Sequence, residues 1–183
     1  MPFRKQALWL LALWLGVAAC VGPQTGEEPA MTAAQEMTVR STAFAEGEAI
    51  PARFTCDGAG ERPPLTWDGV PPGASALAVV VDDPDAPRGT FTHWVVLDLP
   101  AHTTGLDAGA LPRGAVQAEN SGGRTSYYPP CPPRGVHHYR FTVYALTRPT
   151  RLPERAQLDS AMEAVRSSAL AWGRLVGTYQ RSG

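Results

Sequence analysis

Three runs constrain this chain most: "SALAVVVDD" (75–83), "TFTHWVVLDLP" (90–100) and "HHYRFTVYAL" (137–146). Between them they are rich in valine, threonine and aromatic residues, and each is short enough for a strand. Proline and glycine number 18 each and crowd the connectors between the runs. Proline fixes φ and gives up its amide donor, so such connectors turn or extend rather than carry helix. The combination predicts a mostly β domain with antiparallel-rich pairing. Met37–Phe44 is expected as a first strand, and "ERPPLTW" as an extended, proline-stiffened segment. One helix is expected where Leu158, Ala161, Met162, Val165 and Ala169 recur at helical spacing. Pro153 in a first turn, or Ser160 with Glu163 as a capping box, would start it. After Ser168, "LAWGRLVGTYQ" turns to strand formers and predicts a last strand.

The N-terminus reads as a leader. Arg4 and Lys5 precede an apolar run from Ala7 to Ala19. The run has the length of a signal-peptide core and is short for a membrane span. Ala18 and Ala19 lead into Cys20, and "LGVAAC" resembles the lipobox of bacterial lipoproteins, whose cysteine is lipidated and becomes the mature N-terminus. An ordinary signal peptide or an uncleaved anchor would use the same residues. The expected layout is a lipoprotein signal peptide over 1–19, a flexible polar tether over 20–36 and one domain over 37–183. Losing Arg4 and Lys5 leaves 14 of 16 basic residues against 17 acidic ones, so the formal charge moves from −1 to −3. With no basic stripe, the chain has no nucleic-acid profile. A location in the bacterial cell envelope, lipid-anchored and extracytoplasmic, is oxidising. There Cys56 and Cys131 form an even pair that could be bridged, if the fold brings their Cα atoms into range.

Strand alternation sorts the polar residues. On residues 91–99, Phe91, His93, Val95, Leu97 and Leu99 would share one face, placing His93 among large apolar side chains. On residues 137–145, His137, Tyr139, Phe141, Val143 and Ala145 share a face and turn His138 outward. Asp83 continues the face of Leu77, Val79 and Val81 and opens "DPDAP", with Asp85 two residues later. A carboxylate at the end of an apolar strand must be paired or hydrogen-bonded, and imidazole N–H groups are candidate partners. Taken singly, each is as well explained as a core histidine or a turn aspartate. Together, on rigid proline-bounded segments, they point to a shared pocket.

At these residues the chain resembles a family. "TCDGAGERPPLTWDGVPPGA", "DPDAPRGTFTHWVVLDLP" and "PCPPRGVHHYRFTVYAL", in that order, resemble the phosphatidylethanolamine-binding protein family, in its bacterial Raf-kinase-inhibitor-like branch. The ending "LAWGRLVGTYQR" is similar as well, so the resemblance spans roughly Met37 to Arg181. It implies a large central antiparallel-rich sheet, a second smaller sheet, a few peripheral helices and a small anion pocket. Carried over by position, the pocket residues would be Asp83, Asp85, His93, His137 and Tyr139, with Pro130 and Pro132 as a wall. Two positions depart from the family pattern: Pro129 stands where glycine is usual, and His138 where arginine is usual.

The chemistry expected of such a pocket is binding. Imidazole donors from His93 and His137, with loop amides, could hold a phosphoryl or carboxylate group, including a phospholipid head group. Asp83 and Asp85 would orient a histidine, accept from a protonated phosphate oxygen or face an ammonium. Two histidines and two aspartates would also suit a zinc-like ion, but the resemblance implies neither metal nor cofactor. Two other functions fit the residue types. One is a cysteine-dependent hydrolase with Cys131 as nucleophile and His137 as base. The other follows from the resemblance, which implies relatives that inhibit kinases or serine proteases: inhibition of an envelope or secreted serine protease.

Overall fold

The computed structural model describes residues 37–181 and, for their backbone only, Ala34 and Gln35. The predicted signal peptide over 1–19, Cys20 and most of the tether lie outside the described residues. The exception corrects the tether's boundary: Ala34–Gln35 forms strand β1 and pairs in parallel with residues 171–172. The sheet therefore begins inside the segment expected to be tether.

Two sheets carry the fold. The larger has the order β1-β9-β8-β4-β5-β7, built from β4 (Ala76–Asp83), β5 (Phe91–Pro100), β7 (Val116–Gln117), β8 (His137–Leu146) and β9 (Ala169–Tyr179) with β1 at its edge. The smaller has the order β2-β3-β6, from β2 (Thr38–Arg40), β3 (Leu65–Asp68) and β6 (Gly105–Leu106). Except for β1 on β9, the pairs are antiparallel. The expected mostly β architecture is the one observed, and the three diagnostic runs are its three central strands. The predicted first strand is shorter than Met37–Phe44, since pairing covers only Thr38–Arg40.

Both faces of the large sheet are covered, which accounts for the nearly unbroken apolar run of β4. Leu77, Val79, Val81, Phe141 and Val143 pack in one core with Val39, Leu65 and Trp67 of the small sheet. Val80, Val95, Leu97, Tyr144 and Leu146 pack in a second core beneath Ala161 and Val165 of the helix α1 (Leu158–Ser168). Neither predicted helix start is used. Gln157 is the N-cap and makes no side-chain cap. Pro153 lies ahead of it in a turn closed by the Ala156 amide on the Pro153 carbonyl at 3.2 Å, and burial of Ala156 in the second core fixes that turn.

The expected face of β5 is also corrected. Opposite β4, register shifts fall between Val81 and Asp82 and between Leu77 and Val79. Each gives β5 an extra residue, a bulge that breaks the two-residue alternation. Val95 and Leu97 therefore reach the second core, whereas Trp94, Val96 and Leu99 reach the first. His93 lies on the first-core side, its ring 5.2 Å from that of Tyr139.

Strand β9 is crossed closely by other chain segments. A Cβ on Gly177, which is paired with Tyr139, would sit 2.6 Å from Cγ1 of Ile50 and 2.7 Å from Cε2 of Phe44. Gly177→Ala is therefore expected to destabilise the domain by about 1–3 kcal/mol through overpacking. Urea denaturation would measure it, and an unchanged midpoint would contradict the packing described.

Candidate functional site

The ends of β4, β5 and β8 converge where the first core opens to solvent. There Asp83, His93, His137 and Tyr139 line one cavity of about 570 Å³. All four are buried, at 4%, 4%, 6% and 0% exposure respectively. Strand β8 runs without a register shift from His137 to Ala145, so alternation sends His137 and Tyr139 inward and leaves His138 exposed.

Nδ1 of His137 lies 2.7 Å from Oδ2 of Asp83. A carboxylate only accepts, so the imidazole donates from Nδ1. The other Asp83 oxygen, Oδ1, accepts the Asp85 amide at 2.8 Å. Asp83 thus orients a histidine and closes the "DPDAP" turn together.

His93 places Nδ1 2.7 Å from the carbonyl oxygen of Tyr128. Burial pushes the His93 pKa below its ordinary value, against the opposing effects of that carbonyl and of Asp83. Both imidazoles therefore spend Nδ1 on the protein, and a neutral ring presents a lone pair at Nε2. In that form His93 offers an acceptor at Nε2.

Tyr139 offers the complementary group. Its hydroxyl oxygen is buried and has no hydrogen-bond partner of good geometry. The Cys131 amide bears on that oxygen and can only donate to it, so the hydroxyl proton stays unspent. Burial pushes the Tyr139 pKa well up, with Asp83 and Asp85 adding to the shift, and the phenol stays protonated.

The proline-rich segment forms one side of the cavity. Cys131, Pro132 and Pro133 line it. Cys131 is bonded to Cys56 with a Cα–Cα distance of 5.4 Å. The Cys56 amide also donates to the Pro130 carbonyl at 3.0 Å. Next along, Asp57 accepts from the Tyr179 hydroxyl at 2.7 Å and from Nε of Arg181 at 3.2 Å, tying this segment to the end of β9. With its sulfur in a disulfide, Cys131 is no thiolate nucleophile, and the hydrolase reading loses its reactive group.

Two expected pocket residues do not line the cavity. Pro130 is buried behind it, engaged through its carbonyl. Asp85 points to the outside of β8, where Oδ2 accepts from the His138 amide at 2.8 Å and meets His138 Nδ1 at 2.7 Å. His138 holds the Asp85 carboxylate below its ordinary pKa. Sequence reasoning missed Arg88, Phe91 and Tyr128, which do line the cavity. Arg88 and Phe91 stand between the motif residues of "DPDAPRGTFTH", and Tyr128 adjoins the proline run, so position was the available signal. Arg88 supplies a cation that His138, facing Asp85, does not. Pro129 packs its ring on Gly60, where a Cβ would lie 3.3 Å from Pro129 Cγ, and it is not among the lining residues.

A family profile described as Phosphatidylethanolamine-binding protein matches residues 40–180. The chain belongs to that family. A UPF0098 protein of Methanothermobacter thermautotrophicus is 45% identical over 150 residues, covering 79% of this chain and 99% of that one. A Mycobacterium tuberculosis protein with the provisional name lipoprotein LppC is 45% identical over 150 residues, covering 81% of this chain and 74% of its own. The crystal structure of Escherichia coli YbcL, described as a member of the mammalian PEBP family, superposes with a TM-score of 0.74 at 34% identity. It covers 80% of this chain and 99% of YbcL. A PEBP homologue from Chlamydia trachomatis, CT736, gives a TM-score of 0.75 at 34% identity, covering 81% of this chain and all of that one. Family membership carries the fold across the described domain and suggests binding of a small ligand. No described helix is long and apolar enough to cross a membrane.

Proposed function

We propose that this chain is a lipid-anchored, extracytoplasmic binding protein whose cavity takes a phosphoryl or carboxylate group of a small anionic or zwitterionic ligand. The observation that carries the reading is the cavity itself. A buried Asp83–His137 pair, the buried His93 and an unsatisfied Tyr139 hydroxyl share one opening, with Arg88 also lining it. Buried polar atoms are normally satisfied, so the Tyr139 hydroxyl marks where a ligand oxygen would complete the set. The wall is already held by a disulfide and several prolines, so little conformational entropy remains to be lost on binding. Titration with phosphoethanolamine, followed by NMR of the histidine rings, tests the reading. Absence of any shift at His93 and His137 at millimolar ligand would sink it.

Tyr139→Phe separates binding from folding. Removing a hydroxyl without a good partner is expected to leave the denaturation midpoint nearly unchanged. The same change is expected to weaken phosphoethanolamine binding about tenfold or more, since a hydrogen bond to a charged group is lost. Calorimetry and a urea melt on one preparation check both halves. The anchor rests on the Cys20 motif and on the lipoprotein name of a relative. Replacing Cys20 by alanine should move the protein from the membrane to the soluble fraction, and retention in the membrane would count against lipidation.

A further inference from the structure

The polar groups of the cavity have fixed hydrogen-bonding senses. The Tyr128 carbonyl accepts, so Nδ1 of His93 carries the proton and Nε2 carries a lone pair when the ring is neutral. Burial favours that neutral ring. The titratable and charged groups around it are Asp82 and Asp83 from β4, His137 and Tyr139 from β8, Tyr128 from the wall, and Arg88, which lines the same cavity. Asp82 is held by Arg140 at 2.7 and 2.6 Å, and Asp83 by His137. Neither aspartate, as a carboxylate, can donate. A ligand oxygen without a hydrogen therefore meets a lone pair at Nε2 with carboxylates behind it. Tyr139 has the opposite sense, an O–H held protonated and without an acceptor.

We infer that the cavity selects a phosphoryl group that brings its own proton: a monoprotonated phosphate monoester. Its P–OH donates to Nε2 of His93, and a neighbouring P–O⁻ accepts from the Tyr139 hydroxyl. A phosphodiester has the same single charge and nearly the same shape but lacks the hydrogen. It leaves Nε2 desolvated and unsatisfied, a loss that corresponds to about tenfold or more in affinity. His93 is then a specificity-determining residue that favours free phosphomonoesters over the diester linkage of an intact phospholipid. The inference rests on the anion-pocket reading above and adds the protonation state of its ligand.

The test is calorimetry on the full chain with methyl phosphate and dimethyl phosphate at pH 6, paired with NMR of the histidine rings. Methyl phosphate is expected to bind at least about tenfold tighter. As pH rises from 6 to 8, its affinity is expected to fall by up to about tenfold per unit, because the monoester loses its proton near pH 6. Equal affinities at pH 6, or a methyl phosphate affinity that stays flat to pH 8, overturn the inference while leaving the pocket intact. If neither probe moves the rings of His93 or His137, the pocket reading fails and this one with it. His93→Gln, whose amide both donates and accepts, is expected to bring the two affinities together. An unchanged preference in a folded His93→Gln protein overturns the role given to His93.

Discussion

Replacing Asp83 with alanine is expected to destabilise the domain by about 2–4 kcal/mol, since hydrogen bonds to a buried carboxylate are lost and the His137 N–H is left without its acceptor. Two bonds are lost together at this residue. His137 loses the acceptor at 2.7 Å and the Asp85 amide loses its bond at 2.8 Å, and both Asp83 and His137 are nearly closed to water. The ring of His137 is then no longer held in place, so phosphoethanolamine binding should disappear with the pair. Asp83→Asn is the informative companion. Its amide oxygen can still accept one bond, so a smaller loss of stability is expected, with the ligand still weakened. Urea denaturation gives the first quantity and calorimetry the second. An alanine variant within about 1 kcal/mol of the parent would show that the pair is not the structural tie described here.

The second large effect concerns the disulfide. The Cys56–Cys131 bond closes a separation of 75 residues. In the chain-entropy account, a loop of that size restricts the unfolded state by about 4 kcal/mol. The double variant Cys56→Ser/Cys131→Ser avoids a lone thiol and is expected to lose about 2–4 kcal/mol. For a domain of this size that corresponds to roughly 10 °C in Tm. Binding should weaken as well, because Pro132 and Pro133 line the cavity directly after the bridged cysteine. Reductant added to the parent protein should reproduce both effects. A variant with the parental Tm would mean that the bridge contributes nothing to holding the wall.

How far the site was legible depends on the strand that carries each residue. On β8 the pairing with its neighbours is regular through the polar end, so counting by two identified His137 and Tyr139 and turned His138 out. On β5 the same count led elsewhere. Asp98 adopts φ of 58°, and its carboxylate is held by the Thr150 and Arg151 amides at 2.6 and 2.9 Å. Those partners lie some fifty residues away, and nothing within 91–99 announces the bulge they accompany. His93 was still recognised as buried, but its face and its hydrogen-bonding sense depended on the Tyr128 carbonyl. The two aspartates of "DPDAP" divide for a local reason with a distant consequence. The Asp85 amide caps Asp83, and the turn then sends the second carboxylate to His138.

Sequence by itself determined the fold class, the three central strands and the general position of the site, since these follow from local periodicity and from where proline and glycine interrupt it. It also held the ordered motifs by which the family is recognised. Tertiary structure alone decided what each polar atom does. Loop packing brought Cys131 to Cys56, the bulges of β5 put His93 beside Tyr139, and the wall carbonyl fixed which imidazole nitrogen keeps its proton. Periodicity reports which side of a strand is buried. It cannot report which donor meets which acceptor, because that depends on atoms brought together from remote parts of the chain.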